Sequence, residues 1–208
     1  MKKTLLLLAA LMMMGTAQET MAQQRKTASA KKTTTTARKG TAAKKTAAKT
    51  ATPSIAWEGP GVVDGQVAFL GIPLTETKAG MKSKLTAKGI QDRRESDDDF
   101  IRLRGVIDGT RVRINIQQTA SGNLMVSVYD EKTCALAKAK TRFTALVEKM
   151  KTIYGQKGKY LRNDNDWKEY EIEVGGTKEK VVVAMFNEDE MDGSSNFYQI
   201  SVIIGDGI

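Results

Sequence analysis

The order of amphipathic segments constrains the fold of this chain more than any other feature. One helix is predicted at about 76–88 and is followed by three strands, and a longer helix at about 135–154 is again followed by strands. Apolar residues of the longer helix recur three and four positions apart, which forms one apolar stripe. They are Leu136, Ala139, Phe143, Leu146, Val147, Met150 and Ile153. One such unit cannot bury its apolar face alone, whereas two units side by side can. We therefore predict an α+β fold of duplicated αβββ units, with an antiparallel sheet and both helices packed on one of its faces.

The first strands of this pattern form a hairpin. Residues 100–107 and 111–117 alternate between apolar and polar, and Asp108-Gly109 between them is a strong signal for a two-residue turn. A third strand is predicted at 124–129. One face of the three strands is predicted to be buried: Ile101, Leu103, Val112, Ile114, Ile116, Leu124, Val126 and Val128.

A second hairpin is predicted around Gly175-Gly176. With these two residues as its loop, Glu173 would lie opposite Lys178 and Glu171 opposite Lys180. The charges of this hairpin would then be paired locally. The same register places Glu179 opposite the apolar Ile172.

The positive charge of the chain is concentrated in a short segment. The net charge is +9, and residues 23–52 contain nine Lys or Arg and no acid. Residues 53–208 contain 22 basic and 23 acidic residues and are therefore close to neutral. Because the basic character belongs to a tail, the folded domain is not expected to bind nucleic acid.

The N-terminal part is predicted to consist of two segments that precede the folded domain. Residues 1–22 have a basic start, a ten-residue apolar core and small residues before a cleavage point after Ala22, which is typical of a signal peptide. Residues 23–56 are predicted to be a disordered basic linker, because Lys, Ala and Thr cannot bury enough apolar surface to become ordered. Residues 57–208 are predicted to be a single domain. We predict an exported protein, periplasmic or extracellular, with no transmembrane segment after signal removal.

The residue types limit the chemistry. The chain has no His and one Cys, so it lacks a Ser-His-Asp or Cys-His centre, a His-ligated zinc site and an intramolecular disulfide. Cys134 is expected to be a small buried residue at the start of the second helix, although pairing between chains or metal binding stays open. No catalytic residues, metal site or cofactor are predicted.

The outward side chains of the first hairpin are the sharpest candidate for a binding site. With Asp108-Gly109 as the loop, Arg104 lies opposite Arg113, and two further arginines share the face. The predicted anion-binding residues are Arg102, Arg104, Arg111 and Arg113. Guanidinium groups suit phosphate and carboxylate, and like charges placed opposite one another are destabilising unless they are neutralised. The alternative is that Glu169, Glu171 or the run at 97–99 neutralises them within the folded sheet.

Three acidic loops are candidate cation sites. They lie at 97–99, 163–166 and 188–192. The last resembles the start of a calcium loop but has Glu188 at its first position and Gln199 at its twelfth, so it fails the pattern. Solvated loop acids are the simpler interpretation.

Two short motifs resemble those of known proteins. Phe69-Leu70-Gly71-Ile72-Pro73 followed by Lys84-Leu85-Thr86-Ala87-Lys88-Gly89 resembles the opening of a group of uncharacterised exported domains from Bacteroidetes. The resemblance covers about 20 residues and implies export but no particular activity. The duplicated helix-and-sheet pattern is also similar in architecture to the β-lactamase inhibitor protein, which implies a secreted binder without catalysis.

The function expected from these observations is that of a non-enzymatic, exported binding or interaction domain with a flexible cationic arm. Its expected partner is an anionic polymer of the cell envelope or another envelope protein. Two alternatives stay open. One is an enzyme that uses carboxylates, such as Asp164 with Asp166 or Glu188 with Asp189, on an envelope polysaccharide. The other is a structural envelope protein.

Overall fold

The computed structural model describes residues 53–93, 100–187 and 197–206. All of them belong to one compact unit, Ala48–Ile208. The predicted signal peptide at 1–22 and the basic segment at 23–52 lie outside the described residues. Paired backbone begins at Ser54, ahead of residue 57, where the domain was predicted to start.

The described residues of this unit form two helices and thirteen strands. The helices are α1, Lys78–Ala87, and α2, Leu136–Tyr154. The strands are β1 Ser54–Ile55, β2 Val62–Val63, β3 Gln66–Phe69, β4 Ile72–Pro73, β5 Gln91–Asp92, β6 Phe100–Ile107, β7 Thr110–Gln118, β8 Leu124–Asp130, β9 Cys134–Ala135, β10 Gly158–Asn163, β11 Trp167–Glu173, β12 Lys180–Asn187 and β13 Phe197–Gly205.

The strands form one large sheet and one small one. The large sheet has the order β1-β6-β7-β8-β13-β12-β11-β10, with β5 paired to β6 and β9 paired to β13. Neighbouring strands of this sheet are antiparallel, except that β1 runs parallel to β6. The small sheet consists of β2, β3 and β4. A large, mostly antiparallel sheet with two helices confirms the α+β class.

The core lies on one face of the large sheet. The eight strand residues predicted to be buried there are all buried and belong to a single apolar cluster. Met81 and Leu85 of α1 and Phe143 and Met150 of α2 belong to the same cluster. Both helices therefore cover the face formed by alternate residues of the strands.

The ends of the two helices differ. Thr77 caps α1 by accepting a hydrogen bond from the Gly80 amide at 3.0 Å, and the chain turns away at Gly89 with a φ of 95°. Helix α2 begins after Ala135, whose side chain makes no capping hydrogen bond, and its first turn contains no acidic residue. The first amides and the positive dipole end of α2 are thus not compensated by its own side chains.

The second hairpin differs from its predicted register. Strands β11 and β12 pair Glu173 with Lys180 and Ile172 with Val181, so the loop is longer than Gly175-Gly176. The predicted register was wrong because it placed Glu179 opposite Ile172. The observed register instead pairs two buried apolar residues, and it keeps Val174 in the core at 3% exposure.

Candidate functional site

The four predicted arginines lie on the face of the sheet opposite the core cluster. Arg104 is directly opposite Arg113, Arg102 is opposite Asn115, and Arg111 is opposite Val106. Arg104 and Arg111 are exposed, and Arg102 and Arg113 are half-buried. This surface, formed by Arg102, Arg104, Arg111 and Arg113, is called the arginine face below.

The turn of the hairpin sets this arrangement. Asp108 and Gly109 both have positive φ angles, 48° and 73°, as a two-residue turn that follows the twist of the strands requires. Side chains alternate between the two faces along each strand, so the turn aligns the arginines of β6 and β7 on one face. The register of the first hairpin is therefore the one that Asp108-Gly109 predicts.

Two of the acids proposed as neutralising partners, Glu169 and Glu171, lie elsewhere. Glu171 is buried and its carboxylate contacts Lys180 at 2.9 Å and Lys159 at 3.6 Å, while Glu169 accepts a hydrogen bond from Trp167 Nε1 at 2.8 Å. Both acids are on β11, four strands from β7 in the sheet. At a strand spacing of about 4.8 Å, this places them roughly 19 Å from the arginines of β7 and one strand spacing farther from those of β6. The run at 97–99 lies outside the described residues.

The like-charged pair at the centre of the face has no carboxylate partner among the described residues. Within the described ranges, neither Arg104 nor Arg113 forms an ion pair, and Arg104 makes no side-chain hydrogen bond. Two cations directly opposite one another in a sheet repel. An anion bound between them would remove this repulsion.

Arg113 is held in place by a residue that the sequence analysis did not identify as part of the site. Its Nη2 donates to Gln199 Oε1 at 3.2 Å, and Gln199 Nε2 donates to the Asp130 carbonyl at 2.8 Å. The Arg113 Nε atom is buried and has no hydrogen-bond acceptor within the described part of the chain. Gln199 is 2% exposed on a strand of mostly apolar residues, and a buried amide of this kind is a signal that could have identified it.

Arg102 is placed by a different contact. Its guanidinium lies over the Phe100 ring, 5.6 Å from the ring centroid. Such a cation–π contact restricts the long side chain and keeps its charge near the sheet surface.

Two of the carboxylates considered for enzymatic chemistry, Asp164 and Asp166, have other partners. Asp164 accepts a hydrogen bond from Arg162 Nε at 2.8 Å, and Asp166 accepts one from the Tyr198 hydroxyl at 2.6 Å. Each carboxylate is thus bound to a different side chain. Glu188 and Asp189 lie outside the described residues, as does the whole loop at 188–192. In the ranges 53–93, 100–187 and 197–206, no three His, Cys, Asp or Glu side chains are grouped so as to bind a metal ion.

Comparison with protein-family models, with curated proteins and with solved structures gives no match for this chain. Neither helix of the described residues combines the length and the apolar character needed to cross a membrane.

Proposed function

We propose that this chain is a non-enzymatic, exported binding domain that binds an anionic group on its arginine face. The observation that carries the proposal is the pairing of Arg104 with Arg113, together with the buried Arg113 Nε, which has no acceptor among the described residues. A buried donor without a partner leaves about 1–3 kcal/mol of desolvation uncompensated. A phosphate or carboxylate oxygen would supply the acceptor and the charge at once.

The basic segment supports the same function in a less specific way. Its nine Lys or Arg within residues 23–52 give a strong local charge on a chain whose remaining part is near neutral. Such a segment attracts anionic polymers over about 10 Å or less at moderate salt and brings them to the domain. Together with the signal-like residues 1–22, the basic segment favours an anionic polymer or a protein of the cell envelope as the partner.

A duplicated fold is part of this proposal. The sheet order runs β6-β7-β8 and then β13-β12-β11, so the last strand of each predicted unit lies at the centre and pairs with the other. Each set of three strands follows one helix in the chain. This arrangement supports two αβββ units of common origin, as in the architecture of the β-lactamase inhibitor protein, whose function is to bind.

The proposal is tested by comparing residues 23–208 with residues 53–208 for binding to lipopolysaccharide, peptidoglycan, capsular polysaccharide and DNA at low and high salt. We expect the shorter chain to retain binding to one of these polymers at high salt. The Arg104→Gln/Arg113→Gln double variant should lower that affinity about tenfold or more, because it loses one to two charge-assisted hydrogen bonds to the anion.

The matched control removes two charges elsewhere, in the Lys88→Gln/Lys178→Gln variant, whose lysines are exposed. It should bind like the wild type. Binding that requires residues 23–52 and disappears with salt in every variant would instead make the tail a general electrostatic tether, and the arginine face would have no role.

A further inference from the structure

A cavity of about 260 Å³ lies where β7 begins, β8 ends and α2 starts. Four cationic side chains line it: Arg111, Lys132, Lys138 and Arg142. Among the described residues that line it, Asp130 is the only acid. Below, this cavity is called the cationic pocket. It shares Arg111 with the arginine face and is otherwise built from different residues.

One of the four cations is already neutralised. Arg142 forms a bidentate ion pair with Asp130, with Nε–Oδ2 at 3.3 Å and Nη2–Oδ1 at 3.4 Å. Burial raises the pKa of Asp130, and the neighbouring Arg142 opposes this shift. The Asp130 carboxylate is thus bound by Arg142, and Lys138 also interacts with it electrostatically without a direct contact.

The other three cations make no direct contact with an acid in the part of the chain that the structure describes. Across the described ranges, the side chains of Arg111, Lys132 and Lys138 form no ion pair and no hydrogen bond. All three residues are exposed, so water screens part of the repulsion between their charges. An anion bound between these side chains, which come from a strand, a loop and a helix, would remove the rest of this repulsion.

The rest of the lining fits the same kind of ligand. The first turn of α2, which has neither a side-chain cap nor an acid, starts beside the pocket and adds the positive end of its dipole. Thr133 supplies a hydroxyl donor. Burial raises the pKa of the Cys134 thiol, so this lining residue is neutral and adds no competing negative charge.

We propose that the cationic pocket is a second binding site, specific for a small dianion of the phosphate monoester type. The Arg111 guanidinium can bind two phosphate oxygens at once, and the two lysines act as point charges. The volume is below the range of about 300–1,000 Å³ that is usual for larger organic ligands, so the site takes a free phosphate or the terminal phosphate of one sugar. The proposed site is distinct from the arginine face, since Lys132 and Lys138 are not part of that face.

The experiment uses Cys134, the only cysteine of the chain and a residue of the pocket lining, as its reporter. The full-length chain is alkylated with iodoacetamide at alkaline pH, and the rate is followed by mass with and without inorganic phosphate, glucose 1-phosphate, sulfate or acetate at equal ionic strength. At a phosphate concentration ten times the dissociation constant, the rate should fall about tenfold. Glucose 1-phosphate and inorganic phosphate distinguish a sugar phosphate from the free ion.

The variants separate this site from the arginine face. Lys132→Gln/Lys138→Gln should abolish the protection, whereas Arg104→Gln/Arg113→Gln and Lys88→Gln/Lys178→Gln should keep it. Each rate is compared as a ratio with and without anion, because Lys138 also influences the reactivity of the thiol. Equal protection by acetate, or protection that survives in Lys132→Gln/Lys138→Gln, would overturn the proposal. If the thiol resists alkylation, calorimetric titration of the same variants with the same anions tests the proposal instead. The absence of phosphate binding in the wild type would then overturn it.

Discussion

Gly61→Ala is expected to destabilise the domain by about 3 kcal/mol, at the upper end of the usual cost of overpacking a core. A β carbon at this position would lie 2.6 Å from the Ile153 carbonyl oxygen and 2.6 Å from Tyr154 Cδ1. Neither neighbour can move away easily. The first is backbone of α2, and the Tyr154 ring is 5% exposed and tied by its hydroxyl to the Ala68 carbonyl at 2.8 Å. Unfolding in urea, followed by circular dichroism, measures the loss.

Gly175→Ala is the matched control for this change. Its β carbon would have no atom within 4 Å, and its φ lies outside the left-handed range. The free energy of unfolding should change by no more than about 0.5 kcal/mol. A Gly61→Ala variant as stable as Gly175→Ala would show that the close packing of α2 against the segment before β2 does not exist in solution.

Asp108→Ala is expected to destabilise the domain by about 3 kcal/mol, and Asp108→Asn by about 1 kcal/mol, in urea unfolding at neutral pH. The Asp108 carboxylate accepts from the Trp57 amide at 3.0 Å and from Lys149 Nζ at 2.6 Å, so it links the hairpin turn to the N-terminal segment and to α2. Alanine loses both contacts and also adopts the φ of 48° poorly. Asparagine tolerates that backbone conformation and retains an oxygen for the Trp57 amide, but loses the charge.

The pH dependence of these variants follows from the pKa of Asp108. Burial raises this pKa, but the hydrogen bonds from Lys149 and the Trp57 amide outweigh it, so the pKa lies below its ordinary value. A carboxyl with a lowered folded-state pKa stabilises the fold above its unfolded pKa, about 3.9, and loses that contribution as the pH falls through the folded-state value. The stability difference between the wild type and Asp108→Asn should therefore be constant near neutrality and shrink below about pH 4. A difference that grew on acidification would contradict the assigned contacts.

Apolar periodicity was sufficient to predict the central part of the fold. Strands β6, β7 and β8 and helix α2 each bury one face, so the spacing of their apolar residues reports their structure directly. Strand β10 was not predicted, because all six of its residues are exposed and carry no alternating pattern. Strand β10 pairs with β11 and adds exposed side-chain contacts, such as that of Tyr160 with Tyr170 at 4.9 Å between ring centroids. Contacts of this kind leave no apolar period in the sequence.

The sequence could predict the residues of a candidate site only where a single hairpin turn positions them. Asp108-Gly109 sets the register that brings Arg104 opposite Arg113, so these two positions follow from local sequence. Gln199 and the cationic pocket depend on contacts between segments distant in the chain. Cys134 illustrates the difference: it was predicted to be buried at the start of a helix, yet it is half-buried in β9, which pairs with β13, and it lines the cationic pocket.

The measurement that tests the central claim most directly is made on residues 53–208, as the wild type and as Arg104→Gln. It pairs the free energy of unfolding in urea with the affinity for the envelope polymer that the wild-type domain binds most tightly. If the arginine face exists to bind an anion, removal of one like charge should leave the stability unchanged or raise it by up to about 1 kcal/mol, while the affinity falls about tenfold. A variant that is less stable but binds as tightly as the wild type would show that Arg104 supports the fold and that the anion binds elsewhere.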